Sequence, residues 1–259
     1  GGGRAGMGAA RVAAEGGQQV VLFEASDRLG GEVKRAMLPP MRESFEGIIK
    51  FFERQLPQLG VEVRLYAETT VEKVLAERAD AVIVATGATP YVPDIPGAQG
   101  ANVITYNDVL TGARTGQHVV IIDTQGTPPG CVVAEVLADQ GKRVEIVTGL
   151  NWVGSDIPGP VWHHLYERLL GKGVVMSPMT GVSQIGEDFV DVYHVVNTSV
   201  ARTIQSVDTV VMAAGGQAND GLYNSLAGRV DELYVIGDSA QPRNIEMATY
   251  QAHKVAVEL

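Results

Sequence analysis

The sequence predicts an α/β protein with two nucleotide-binding β–α–β units, the second inserted in the first, and additional short β-strands. A glycine-rich turn, residues 1–6, opens a helix, and the apolar strand that follows the helix ends in Glu24. A second strand–helix–strand pattern spans residues 117–147. Continuous apolar runs, which are typical of parallel strands buried on both faces, lie at 80–87, 208–213 and 233–238.

Composition narrows the class of protein. With 259 residues, of which 45 % are hydrophobic, the chain can bury the cores of two domains. The net charge of -10 argues against nucleic acid or an anionic membrane as the main partner. The single cysteine, Cys131, excludes an internal disulfide, a C-x-x-C redox pair and an all-cysteine metal site in this chain. No apolar run has the length of a membrane span and no secretory signal is recognisable, so we expect a cytoplasmic protein.

The first turn has the G-x-G-x-x-G spacing of a dinucleotide site. In such a turn Gly1 permits the tight bend, Gly3 lets backbone amides approach a pyrophosphate, and Gly6 lets helix and strand pack closely. Arg4 and Ala5 begin the helix, whose N-terminus attracts the anionic phosphates. The predicted ligand is therefore an adenine dinucleotide or nucleotide.

The acid after the next strand completes this pattern. Glu24 lies about 20 residues beyond the turn, where a carboxylate accepts hydrogen bonds from an adenosine ribose. Ala25 and Arg28 follow it, and the pair Gly30 and Gly31 could bring further amides to a phosphate. The alternative for the glycine pair is a plain loop. FAD, or ADP in its place, is the predicted ligand.

The rest of the first unit follows from hydrophobic spacing. Apolar residues at helical spacing predict a helix over 45–59, alternation predicts a strand over 61–65, and Thr70 is a candidate cap for a helix over 71–78. The run at 80–87 ends in small residues that we place at the nucleotide, namely Ala85, Thr86 and Gly87.

Proline-rich residues 90–97 indicate a domain boundary. We predict one discontinuous domain of residues 1–93 and 207–259 around a single parallel sheet, because its buried strands need a common sheet covered by helices. Residues 94–206 then form an NAD(P)-binding-like domain. Its further predicted helices are 130–139 and 161–170, its short strands are 174–176, 182–185, 189–196 and 201–205, and a closing helix of the first domain spans 243–259.

The glycine turn of the second unit is degenerate. Asp123 places a carboxylate where a pyrophosphate would approach, the prolines at 128–129 remove two backbone donors, and the strand ending at Val147 has no acid after it. We therefore predict that this unit does not bind NAD(P)H tightly. The opposing interpretation is that Gly126 and Gly130 suffice and that the loop takes a longer path.

At this point the chain resembles the two-domain FAD/NAD(P)-binding flavoproteins of the glutathione reductase type, which have two Rossmann-like domains. The features that carry the resemblance are the glycine turn with its acid, the Ala-Thr-Gly strand end, the inserted second unit and a late Ile-Gly-Asp. The resemblance implies that Gly237 and Asp238 approach the ribityl chain of the flavin.

The details resemble a narrower group: the C-terminal half of trimethylamine dehydrogenase, 2,4-dienoyl-CoA reductase, histamine dehydrogenase and the methylated-amine demethylases. Arg4 departs from this family, where a proline is usual, and so does the second glycine turn. The segments that carry the resemblance are 24–31, 105–110, 134–138, 234–238, Pro242-Arg243, Ala248-Thr249 and His253.

This resemblance implies an oxidoreductase in which an FMN barrel and a [4Fe-4S] cluster precede the segment. We expect the polypeptide to extend N-terminally by those parts, because the glycine turn should follow a buried strand. The substrate, a small amine or an enoyl compound, would then bind in the barrel, so no catalytic or metal-binding residue is assigned here. Expected partners are the barrel domain, an electron-transfer protein and further copies of the chain. The alternatives are a purely structural ADP or FAD module and a stand-alone NAD(P)H-dependent flavin reductase.

Overall fold

The structure is a computed structural model that describes residues 1–259. The chain divides into two compact units. The first contains Gly1–Thr89 and Gly216–Leu259, and the second contains Pro90–Gly215. The observed division therefore lies at 89/90 and 215/216, whereas the sequence suggested 93/94 and 206/207.

The first unit contains six of the helices and six of the strands. Its helices are α1 (Arg4–Glu15), α2 (Val33–Ala36), α3 (Glu46–Gln58), α4 (Val71–Glu77), α8 (Gly221–Leu226) and α9 (Ile245–Ala256). Its strands are β1 (Val21–Phe23), β2 (Glu62–Arg64), β3 (Ala81–Val84), β4 (Ala88–Pro90), β13 (Gly216–Ala218) and β14 (Glu232–Val235). Short 3-10 turns cover Glu43–Phe45 and Gly237–Ser239.

The strands of the first unit pair two by two. β1 pairs with β2 and β3 pairs with β14, both in parallel, and Val84 lies opposite Val235. The prediction that the runs at 80–87 and 233–238 share a parallel sheet is therefore confirmed. A single sheet for the whole unit is not observed, since β1 and β2 form a separate two-stranded sheet. β3 is also less buried than predicted: Val84 is buried, whereas the first three residues of the strand are only partly so.

Helix α1 packs against both pairs of strands. Its small residues Ala5 and Ala9 contact α9 and the end of β3, while Met7 packs against Leu22 of β1 and Phe52 of α3. Small side chains allow this close approach. The glycine turn therefore lies at the carboxyl ends of β1 and β3, where ligands bind in open α/β sheets.

The second unit contains the remaining elements. Its strands are β5 (Val103–Thr105), β6 (His118–Asp123), β7 (Arg143–Val147), β8 (Val175–Ser177), β9 (Thr180–Ile185), β10 (Phe189–His194), β11 (Ala201–Gln205) and β12 (Thr209–Ala213). Its helices are α5 (Tyr106–Leu110), α6 (Pro128–Asp139) and α7 (Gly159–Gly171). Helix α6 begins at the proline pair, where a missing N–H is tolerated.

A five-stranded parallel sheet, in the order β5-β12-β6-β7-β8, forms the centre of this unit, and β9 to β11 form an antiparallel meander. Two expectations are corrected. β12 pairs with β6 and β5, so the run at 208–213 belongs to the second unit rather than the first. β8 pairs with β7 and is not the first strand of the meander.

The predicted α/β fold class with two Rossmann-like units is confirmed. None of the helices combines the length and the apolar character needed to cross a membrane.

Candidate nucleotide-binding site

The first turn of α1 offers backbone donors that have no partner in the helix. The first helical bond runs from the Met7 amide to the Gly3 carbonyl, at 2.9 Å, and no side chain caps the helix. The amides of Arg4, Ala5 and Gly6 precede that bond and remain available to a ligand. Gly6 must be glycine here, because a Cβ atom would collide with the Gly1 carbonyl.

A second glycine loop lies against the first. The Gly30 amide donates to the Gly2 carbonyl at 2.8 Å. Gly31 has a φ of +52°, and a Cβ atom there would lie 2.8 Å from the Cα of Gly3. The structure thus brings the two glycine segments together and leaves no room for a side chain between them.

Glu24 stands at the carboxyl end of β1 and accepts three hydrogen bonds. Its Oε2 accepts from the Gly2 amide at 2.7 Å, and its Oε1 accepts from the amide and hydroxyl of Ser26 at 2.8 and 2.6 Å. Burial by itself would raise the pKa of Glu24, but these donors outweigh it and lower the pKa overall. An ionised carboxylate accepts about four hydrogen bonds, so one position, on Oε2, is left for a ligand hydroxyl.

Two supporting residues were not identified from the sequence. Ser26 holds Glu24, and the Lys34 ammonium donates to the Ser26 hydroxyl at 2.7 Å and to the Arg28 carbonyl at 3.2 Å. The side chains of Ala25 and Arg28 are exposed. A serine two residues after an acid is the signal that could have revealed this support, since such side chains commonly bond to neighbouring groups in turns.

The strand end at 85–87 contributes one residue to the turn. Ala85 is buried, and its carbonyl is the atom that a Cβ on Gly1 would strike. Thr86 and Gly87 instead bond to Asn219: the Thr86 hydroxyl donates to its carbonyl at 2.5 Å, and the Asn219 amide donates to the Gly87 carbonyl at 2.9 Å. The structure therefore brings Ala85 to the turn and engages Thr86 and Gly87 elsewhere in the same unit.

Gly237 and Asp238 lie beside the same turn. A Cβ atom on Gly237 would lie 2.7 Å from that of Ala5. The half-buried Asp238 accepts the Arg243 amide through Oδ1 at 3.1 Å. Burial raises the pKa of Asp238, and the Arg243 amide opposes that shift. Its second carboxylate oxygen has no protein partner and can accept from a ligand hydroxyl.

An apolar groove of about 540 Å³ opens beside Arg4, the first residue of α1. The half-buried guanidinium of Arg4 lies 4.9 Å from the centre of the Phe52 ring, and it makes no ion pair or hydrogen bond. Burial lowers the pKa of Arg4, and the nearby Arg11 adds to that effect. The residues lining the groove are Arg4, Ser44, Gly47, Ile48, Phe51, Phe52, Ile245, Glu246 and Thr249.

The remaining titratable candidates lie away from this arrangement. Cys131 is 2 % exposed in the core of the second unit. Burial, with smaller effects from Asp123 and Glu135, raises the pKa of its thiol to about 12. His253 is exposed on α9, and the structure contains no group of histidine, cysteine and acidic residues that could hold a metal ion.

Comparison with known proteins agrees with this geometry. The family described as "Pyridine nucleotide-disulphide oxidoreductase" matches residues 1–254. The N,N-dimethylglycine/sarcosine dehydrogenase of Chromohalobacter salexigens is 31 % identical, over 98 % of this chain and 42 % of that protein. The cinnamate reductase of Clostridium sporogenes is 33 % identical, over 99 % of this chain and 38 % of that protein.

Among solved structures, histamine dehydrogenase from Rhizobium sp. 4-9 superimposes with a TM-score of 0.91 and 28 % identity, over 100 % of this chain and 43 % of that one. The chain spans about two fifths of the length of the relatives it matches. The matching regions are C-terminal parts of such flavoenzymes, so the predicted resemblance is confirmed.

Proposed function

Because this chain belongs to the pyridine nucleotide-disulphide oxidoreductase family, we propose that it is the nucleotide-binding module of a flavin-dependent oxidoreductase and that its first unit binds FAD. The single observation that carries the proposal is the combination of free helix amides at residues 4–6 with a Glu24 carboxylate that keeps one acceptor position open.

Each residue has a role that its contacts support. The amides of Arg4, Ala5 and Gly6 face the diphosphate, at a helix N-terminus that favours negative charge. Glu24, whose pKa is lowered, stays ionised at neutral pH and accepts a hydrogen bond from a ribose hydroxyl. Asp238 accepts a hydroxyl of the ribityl chain. The flavin, when bound, supplies the one- and two-electron chemistry, and the chain's own residues bind and orient it.

The groove beside Arg4 favours FAD over ADP as the natural ligand. ADP ends at the diphosphate and leaves the groove vacant. The flavin ring of FAD is planar and largely apolar, and a groove of about 540 Å³ has room for it. Phe51 and Ile245 are exposed there, and an apolar ring would remove them from water. The unpaired Arg4 guanidinium lies within the same groove, where it can face a polar edge of the ring.

Filling the groove tests this proposal. At Gly47 a Cβ atom would meet nothing within 4 Å, so Gly47→Trp should fold and project an indole into the groove. We expect calorimetry to show at least a tenfold loss of FAD affinity with ADP affinity unchanged. The control is Gly171→Trp, which also has open space but lies in the second unit. Equal FAD affinity in both variants would contradict the placement of the ring.

For the whole polypeptide we propose an FMN barrel and a [4Fe-4S] segment besides this module. The substrate would be a small amine undergoing oxidation or N-demethylation, or an enoyl compound undergoing reduction. The support is that the matched relatives carry dehydrogenase and reductase names and are more than twice as long as the matched region. An electron-transfer protein and further copies of the chain are proposed partners. Intact mass, iron content and flavin analysis of the native protein test this, and iron-free protein without FMN would contradict it.

A further inference from the structure

The cleft of the second unit lies at the carboxyl ends of β6 and β7, where a Rossmann-like unit binds its dinucleotide. The turn between β6 and α6 spans residues 124–127. In a working site, the amides of such a turn point at the pyrophosphate of the ligand. The partners of these amides in this chain therefore indicate what the cleft can accept.

The turn amides bind a carboxylate of the chain itself. Asp123, the last residue of β6, accepts the amides of Gln125 and Gly126 through Oδ1 at 3.0 and 2.9 Å. Its side chain is 1 % exposed and lies against Gly130, where a Cβ atom would come within 3.3 Å of the carboxylate carbon. Asp123 thus stands in the place of a ligand phosphate, because its Oδ1 accepts from the backbone donors that would otherwise bind one.

A segment after β7 covers the same turn. We call residues 149–158 the strap. A Cβ atom added to Gly126 would lie 2.9 Å from Leu150 Cδ1 and 3.0 Å from the Ser155 amide, so both residues occupy the space over the turn. The Asp156 amide also donates to the Gly126 carbonyl at 2.9 Å.

The strap is held in place by the core. Val153 and Ile157 are buried in the same cluster as Cys131 and Leu165. The Trp162 indole donates to the Val153 carbonyl at 2.7 Å. Lifting the strap would expose both apolar side chains and break this hydrogen bond, so the covered form is the stable one.

We propose that the second unit is closed by its own chain: Asp123 replaces the phosphate of a nicotinamide dinucleotide, and the strap fills the remaining space. The second unit then has a structural role and does not receive hydride from a nicotinamide. Bound dinucleotide would have to displace Leu150 and Ser155 and to separate Asp123 from two amides. This inference does not depend on whether the first unit binds FAD.

The test is calorimetric titration of the 259-residue chain with NAD⁺ and NADP⁺, before and after loading with FAD, so that failure of the first unit is seen separately. We expect no saturable binding below about 1 mM, the weak end of the affinity scale. A dissociation constant in the micromolar range that persists after FAD loading would overturn the proposal.

Opening the cleft gives the converse result. The triple variant Asp123→Gly, Leu150→Ala, Ser155→Gly should gain at least tenfold in affinity for one of the two dinucleotides. The matched control, Asp188→Gly, Leu170→Ala, Ser199→Gly, changes the same residue types elsewhere in the unit and should gain nothing. A folded triple variant that binds no better than the wild type would refute the closure.

Amide hydrogen exchange gives a measurement that does not require the triple variant to fold. In the wild type the Gln125 and Gly126 amides should be protected. Asp123→Asn retains an acceptor oxygen and should keep that protection, whereas Asp123→Ala should increase their exchange at least tenfold. Unchanged exchange in Asp123→Ala would show that the carboxylate does not hold the turn.

Discussion

Replacing Glu24 with glutamine should remove one ligand hydrogen bond whose strength can be worked out from the structure. Three of about four acceptor positions are used by Gly2 and Ser26, so a ribose can make one bond to the carboxylate. A hydrogen bond to a charged group contributes about 1.5–3 kcal/mol. We therefore expect Glu24→Gln to bind ADP about 10- to 150-fold more weakly in calorimetric titration.

Comparison with 2′-deoxy-ADP separates this bond from general damage to the turn, because glutamine also disturbs the Gly2 and Ser26 contacts. The wild type should lose affinity when the 2′-hydroxyl is absent, and Glu24→Gln should be nearly indifferent to it, as in a double-mutant cycle. Glu62→Gln, on the neighbouring strand and paired with Arg64, is the control and should behave as the wild type. If the hydroxyl matters equally in Glu24→Gln and wild type, Glu24 does not bind the ribose.

Three further outcomes follow from contacts in the structure, and a fourth from the lowered pKa of Glu24. Gly31→Ala should abolish ADP binding, because the added carbon would collide with Gly3. The control is Gly60→Ala, which is also at positive φ but in open space. It should leave ADP binding unchanged and lower only thermal stability. The Asn244 side chain caps α9 by accepting from the Met247 amide at 2.9 Å. Asn244→Ala should therefore lower the free energy of unfolding by about 1 kcal/mol in denaturant unfolding, whereas Asn244→Asp should not. The thiol of Cys131 should resist an alkylating reagent at pH 8 until the protein is denatured. Folding lowers the pKa of Glu24, so its stabilising contribution is present above its ordinary pKa of 4.5 and is lost as pH falls through the pKa of the folded state. The difference in free energy of unfolding between wild type and Glu24→Gln, measured by urea unfolding, should therefore disappear in acid.

Local chemistry explains what could be predicted from the sequence. The glycine turn, Glu24 and the Thr70 cap depend on neighbours within a few residues or on one strand–helix–strand unit, and the structure places each at a helix or strand end. Helix α3 was predicted within one residue at each end, because its apolar face has a clear period.

What could not be predicted depended on distant partners. The run at 208–213 was assigned to the wrong sheet, because a buried parallel strand has the same continuous apolar sequence whichever sheet it joins. The strap has no hydrophobic period, and only the folded chain shows that Val153 and Ile157 anchor it. The supporting contact from Lys34 likewise requires the loop conformation that brings it to Ser26.

The hydrogen bond between the Tyr91 amide and the Gly215 carbonyl, at 3.0 Å, joins the two ends of the second unit. That unit is continuous in the chain and can fold during synthesis, before residues 216–259 emerge from the ribosome. Its folding would leave only residues 85–89 and 216–231 as free chain between β3 and β14. The loop then shortens roughly sevenfold, which is about three halvings and lowers the entropic cost of closure by about 2 kcal/mol. Because the second unit is synthesised before β14, its folding lowers the entropic cost of pairing Val84 with Val235. A circular permutant opened within residues 90–215 should therefore fold more slowly.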